Sequence, residues 1–103
     1  MAVVYVAEFV SVGGTGNFPI AGAMVAPVAQ QTIAIGTVSA PCASAFSANT
    51  YFVRVHTDAI CCISFGTTPT VSTTTGMRLA ANQTEYFAVP IGANYKVAVI
   101  TAT

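Results

Sequence analysis

Tyr51-Phe-Val-Arg-Val-His-Thr-Asp-Ala-Ile-Cys-Cys-Ile-Ser-Phe65 is the stretch that decides the fold. From Phe52 to Thr57 apolar and polar residues alternate. Val53 and Val55 fall on one parity, and Phe52, Arg54 and His56 on the other. A period of two is the signature of a strand with one buried face. Val53 and Val55 are therefore expected to face a core, with Phe52, Arg54 and His56 facing out. Asp58 is a turn former, and Ala59–Phe65 reads as a second strand with both faces nearly apolar. A tight turn at Thr57-Asp58 predicts that these two strands form a hairpin.

The same period recurs on either side. Ala2–Val10 carries Val4, Val6 and Val10 on one parity, with Glu8 as the single charged break in that row. Val3, Tyr5, Ala7 and Phe9 fill the other parity, which suggests a strand covered on two sides. Gln31–Gly36, Met77–Ala80, Thr84–Val89 and Tyr95–Thr101 read as further strands, and a short edge strand is expected around Ala43–Phe46. Asn82-Gln83 and Pro90, Gly92 and Asn94 mark turns. Gly66–Gly76 reads as a polar, mobile loop. Ser11–Asn17 is glycine-rich and Phe18–Val28 is apolar but irregular, so residues 11–30 read as an extended loop or arm. No stretch has helical periodicity with good caps. The expectation is a single all-β domain over 1–103: an antiparallel β-sandwich, jelly-roll-like, of about 7–8 short strands.

Composition narrows the function. Hydrophobic residues make up 54% of the 103 residues and charged residues only 6%, against roughly 25% charged in an ordinary soluble domain. The charges are Glu8, Arg54, Asp58, Arg78, Glu85 and Lys96, and they sum to zero. A surface so poor in charge is expected to be covered by other protein chains. Three scattered basic residues make no phosphate-binding patch, so nucleic acid is not an expected partner. No basic amphipathic helix addresses a membrane surface. The best apolar run, Ile20–Ala29, is too short to span a bilayer and contains Pro27. The first residues lack the basic start of a signal peptide, so synthesis and folding in a cytoplasm are expected.

Chemistry-bearing clusters are scarce. His56 is the sole histidine, and with Asp58 it supplies two of the three or four ligands a zinc site needs. Neither residue has a nucleophile beside it in sequence, although the fold could bring one in. Glu8, Asp58 and Glu85 fall on separate elements with no tryptophan platform for glycoside hydrolysis. Cys61 and Cys62 are adjacent and point to opposite faces of a strand, so they are poor disulfide partners. With Cys42 they read as reduced, buried small hydrophobes. No catalytic, metal or cofactor residue is assigned, and the chain reads as a non-enzyme. Arg54 with Asp58, or Arg78 with Glu85, could pair within the chain or across a subunit interface.

Four stretches carry a resemblance: Tyr51-Phe-Val-Arg-Val-His-Thr-Asp-Ala59, Ile63-Ser-Phe-Gly-Thr-Thr-Pro69, Met77-Arg-Leu-Ala-Ala-Asn-Gln-Thr-Glu-Tyr-Phe87 and Tyr95-Lys-Val-Ala-Val-Ile100. They lie from Tyr51 onward, in roughly the second half of the chain, and in style the chain resembles small virion structural proteins of tailed bacteriophages, the capsid cement or decoration proteins above all. The resemblance implies a β-sandwich homotrimer on the capsid surface that binds across the major capsid protein and stabilises the head. It implies no chemistry and transfers no functional residue. The alternatives are another virion subunit of tail, neck or fibre base, and a small ligand-binding or enzymatic β-domain. On the interface reading the expected contact residues are Phe52, Arg54, His56, Phe87 and Tyr95.

Overall fold

A computed structural model describes residues 2–10, 12–15, 18–23 and 27–102. Ten strands follow one another in the described chain: β1 (Val3–Phe9), β2 (Val12–Thr15), β3 (Phe18–Ala23), β4 (Ala29–Ala34), β5 (Ala40–Pro41), β6 (Phe52–Thr57), β7 (Cys61–Gly66), β8 (Met77–Leu79), β9 (Thr84–Ala88) and β10 (Lys96–Thr101). They build two four-stranded sheets, ordered β4-β1-β6-β9 and β5-β10-β7-β8, with β2-β3 as a separate two-stranded ribbon. Every pairing is antiparallel. No helix among the described residues is long and apolar enough to cross a membrane.

The strand pairs are nested. β7 pairs with β8, β6 with β9 and β5 with β10, so residues 40–101 form one long hairpin folded over itself. Alternate layers of that hairpin fall into opposite sheets, which is the wrapping of a jelly roll. The outermost place, next to β4, is taken by the first strand of the chain, β1. The expected antiparallel sandwich is what forms, with eight strands in its two sheets.

One core joins the sheets. Val4, Val6, Ile33, Val53 and Val55 come from one sheet, and Cys61, Ile63, Leu79, Val97 and Val99 from the other. Cys42 and Phe46 close it from the segment after β5. Each fully buried valine or isoleucine contributes roughly 1.5–3 kcal/mol relative to exposure. The period-two rows of β1, β6 and β10 place these side chains inward, as their sequence predicts.

Several expectations are corrected. β6 and β7 are not a hairpin: β6 pairs with β1 and β9, and β7 with β10 and β8. Each strand carries an apolar row that needs the other's for burial, so the two lie face to face and Thr57–Ile60 crosses between sheets. The buried Thr57 hydroxyl bonds Ala59 O at 2.6 Å, and the Thr57 and Asp58 amides donate to Gln83 O and Val3 O. A corner with its polar groups bonded in this way needs no two-residue turn. The short edge strand lies at Ala40–Pro41 rather than 43–46, although Cys42 N and Phe46 N still donate to Val97 O and Tyr95 O along β10. Within 11–30, the glycine-rich part pairs as β2 with β3, and the register shifts between Val12 and Gly14. Residues 11, 16, 17 and 24–26 lie outside the described residues.

The 66–76 segment lies on the outer face of β5-β10-β7-β8. Val71 packs with Cys62 and Ala98, with Ile100 and Ala102 against them. Val71 N donates to the Ser39 hydroxyl at 3.0 Å, and the Ser72 hydroxyl lies 2.7 Å from that of Thr75.

Candidate interaction surface

The outer face of β4-β1-β6-β9 is built by register. On β6 the residues Phe52, Arg54 and His56 alternate with buried Val53, Val55 and Thr57. Their cross-strand partners on β1 are Phe9, Ala7 and Tyr5, and on β9 they are Ala88, Tyr86 and Thr84. Continuing to β4, Tyr5 faces Thr32 and Ala7 faces Gln30. Three rows therefore cross the sheet: Thr32–Tyr5–His56–Thr84, Gln30–Ala7–Arg54–Tyr86, and Phe9–Phe52–Ala88.

The rows hold together by ring contacts. Phe9 stacks on Phe52 with centroids 5.2 Å apart, and Phe52 meets Tyr86 at 6.2 Å in a tilted pair. Tyr5 lies 6.1 Å from His56. Stacking buries Phe9 although it lies on the outward parity, while Tyr5 stays 45% and Tyr86 56% exposed. The outer face of β1 is thus open at Tyr5, not covered as expected from its two apolar parities. Phe9 and Phe52 cover one another, and nothing described in the chain reaches Tyr5 from outside.

Between these rings lies an open concavity of about 510 Å³, lined chiefly by Tyr5, Gln30, Thr32, Arg54 and His56. His56 Nδ1 is 2.8 Å from the Thr84 hydroxyl, and Nε2 is 4.0 Å from Asp58 Oδ1. Asp58 is therefore the neighbour of His56 and not an ion-pair partner of Arg54. The Arg54 guanidinium is half-buried and meets no hydrogen-bond or ion-pair partner among the described residues.

Of the expected contact residues, the fold brings Phe52, Arg54 and His56 together on this face. Phe87 and Tyr95 stand elsewhere. Both pack against the sandwich core, and Phe87 meets Phe65 of the opposite sheet at 5.0 Å. Tyr5 and Tyr86 were not singled out by sequence, and their signal is only the outward parity they share with Phe52 through the register.

Glu8 has a different role. Its carboxylate is buried in the inward row of β1, where Oε1 accepts from Ser47 N at 2.7 Å and from the Thr50 hydroxyl at 2.7 Å. It thereby fastens the 47–50 turn to the first strand. Cys42, Cys61 and Cys62 are all free and buried. Burial pushes the Cys42 and Cys61 thiols above their ordinary value, partly opposed by the hydrogen bond that Cys42 accepts from Val97 N and by the one between Cys61 Sγ and the Thr57 hydroxyl oxygen. Among the described residues no three His, Cys, Asp or Glu side chains gather as metal ligands. No family model, curated protein or solved structure matches the chain.

Proposed function

We propose that the chain is a capsid cement or decoration protein of a tailed bacteriophage, which stabilises the head by binding across subunits of the major capsid protein. The observation that carries this reading is the outer face of β4-β1-β6-β9. It exposes Tyr5 and Tyr86 beside stacked Phe9 and Phe52, with Arg54 unpaired among them. Exposed tyrosines and a single arginine are the residue types that anchor protein interfaces. The chain's 6% of charged residues supports the same reading, because little on its surface would oppose a covering partner. On a shell, many repeated copies give avidity, so each contact can be modest. Copies would sit on the capsid surface, grouped in threes.

The test is the copy number of the chain in purified virions, by quantitative mass spectrometry against the major capsid protein. A number comparable to that of the capsid protein is expected. A handful of copies would move the chain to the tail, neck or fibre base, and absence from the particle would sink the virion reading.

A further inference from the structure

A sandwich has four edge strands, and here two of them are too short to offer a pairing edge. β5 is two residues long and ends in Pro41, and β8 is three residues long. β4 is tied to the segment after β5, because the Gln31 side chain both donates to Ser44 O and accepts from Ser44 N. β9 is different. It runs for five residues, Thr84–Ala88, with no proline or lysine and an unshifted register to β6. Proline, lysine and bulges are the usual guards against edge-to-edge pairing.

The alternation of the ladder says which backbone groups are open. Val89 N donates to Tyr51 O, and Thr57 N donates to Gln83 O. Counting inward from both ends, Phe87 and Glu85 turn their amides and carbonyls toward β6. The amides and carbonyls of Thr84, Tyr86 and Ala88 therefore point to the free edge, and none meets a partner among the described residues. These open positions are symmetric about Tyr86.

We propose that β9 is a two-fold self-association edge: the occupant is β9 of a second copy, antiparallel and centred on Tyr86. In that register Tyr86 bonds Tyr86 of the second copy, and Thr84 bonds Ala88 in both directions. The two strands exchange about six backbone hydrogen bonds. The one charge in the strand, Glu85, falls opposite Phe87 and not opposite itself. The two Glu85 Cα atoms lie about 8 Å apart, from the rise and strand spacing of a sheet. Each four-stranded sheet becomes half of an eight-stranded one. The ring contacts Phe9–Phe52–Tyr86 then lead to the copy's Tyr86, so both aromatic faces form one surface. Such a contact is isologous and closes on two copies. Trimers made through another face would be joined by it in pairs.

This deepens the assembly reading and rests on it only in treating the chain as one that works by contact. The test uses the isolated chain, so its outcome is separate from binding to a capsid. Native mass spectrometry is expected to show even-numbered assemblies of the 10.5 kDa chain. Tyr86→Pro removes an amide that β6 does not use, and it should weaken the two-fold contact about tenfold or more while leaving circular dichroism unchanged. Tyr86→Lys, which keeps the amide and adds a guard charge, should weaken it as well. Opposed residues of a bonded pair lie about 5.5 Å apart, within reach of a disulfide. Thr84→Cys mixed with Ala88→Cys should therefore cross-link on oxidation, and neither alone should. The native thiols are buried and do not compete. A single-chain or odd-numbered mass, an assembly unmoved by both Tyr86 variants, or self-cross-linking of Thr84→Cys overturns the proposal.

Discussion

The two sheets are alike inside and unlike outside. Each offers a row of small aliphatic side chains to the shared core. On the outer side of β5-β10-β7-β8 the chain folds its own 66–76 segment down and seats Val71 over Cys62 and Ala98. On the outer side of β4-β1-β6-β9 it leaves Tyr5 and Tyr86 about half in solvent. The outer side chains explain the difference. Cys62 and Ala98 are small and apolar, and one inserted valine covers them. Tyr5, Tyr86, Arg54 and His56 are large, carry polar tips, and suit one side of a contact. One face is finished by the chain itself, and the other is the face proposed to be completed by a partner.

The largest test of this contrast removes the cover. Val71 is 3% exposed and packs with Cys62 and Ala98 of the sheet beneath, so Val71→Asp puts a charge into an apolar seat. The expected loss is about 3 kcal/mol of unfolding free energy in a urea titration. Cys62 should also become reactive to an alkylating reagent. A loss below about 0.5 kcal/mol would mean that the loop merely rests on the sheet.

A smaller effect is expected at Gly76, which ends the covering segment. Its φ of +130° is a conformation that side chains rarely adopt, and an added Cβ would stand 2.7 Å from Val71 Cγ2 and 3.0 Å from Ile63 O. Val71 can shift, but the β7 backbone cannot. Gly76→Ala should therefore cost about 2 kcal/mol. Combined with Val71→Ala, which opens the nearer contact, the cost of the glycine substitution should fall. Strict additivity of the two would show that strain in the backbone, and not the close approach, dominates.

Legibility in the sequence follows the same division. The rows of β6 and β10, and the turns where Asn82, Gly92 and Asn94 take positive φ, were readable because local parity and turn chemistry determine them. The β6–β7 connection was not. Asp58 marks a change of direction, but whether the next strand pairs beside the last or crosses to the other sheet depends on which apolar rows need each other. Gly66–Gly76 reads as a mobile loop because Val71 is a lone apolar residue among threonines, with no period to betray its seat. Glu8 showed as a break in an inward row, yet its donors lie about forty residues away at Ser47 and Thr50. For the candidate face, Phe52, Arg54 and His56 follow from one strand's parity, whereas Tyr5 and Tyr86 join them only through the register of three strands. Phe87, on edge strand β9, and Tyr95, just before β10, pack against the core yet stay partly exposed, and composition alone does not distinguish the two sides.

The smallest expected effect sharpens the contrast from the open side. Tyr5 is 45% exposed, its hydroxyl makes no hydrogen bond among the described residues, and its one ring neighbour is His56 at 6.1 Å. Tyr5→Ser should change the unfolding free energy by no more than about 0.5 kcal/mol, since a surface side chain outside the core contributes little to folding. On the proposed function, binding to shells that lack the protein should respond in the opposite sense. An interface tyrosine truncated to serine costs about 2 kcal/mol when it is an anchor, or roughly thirtyfold in Kd. Stability and binding measured on the same variant therefore separate the two roles of an exposed aromatic. A large loss of stability would make the Tyr5 row part of the fold's own packing. An unchanged Kd with unchanged stability would place the partner on another face.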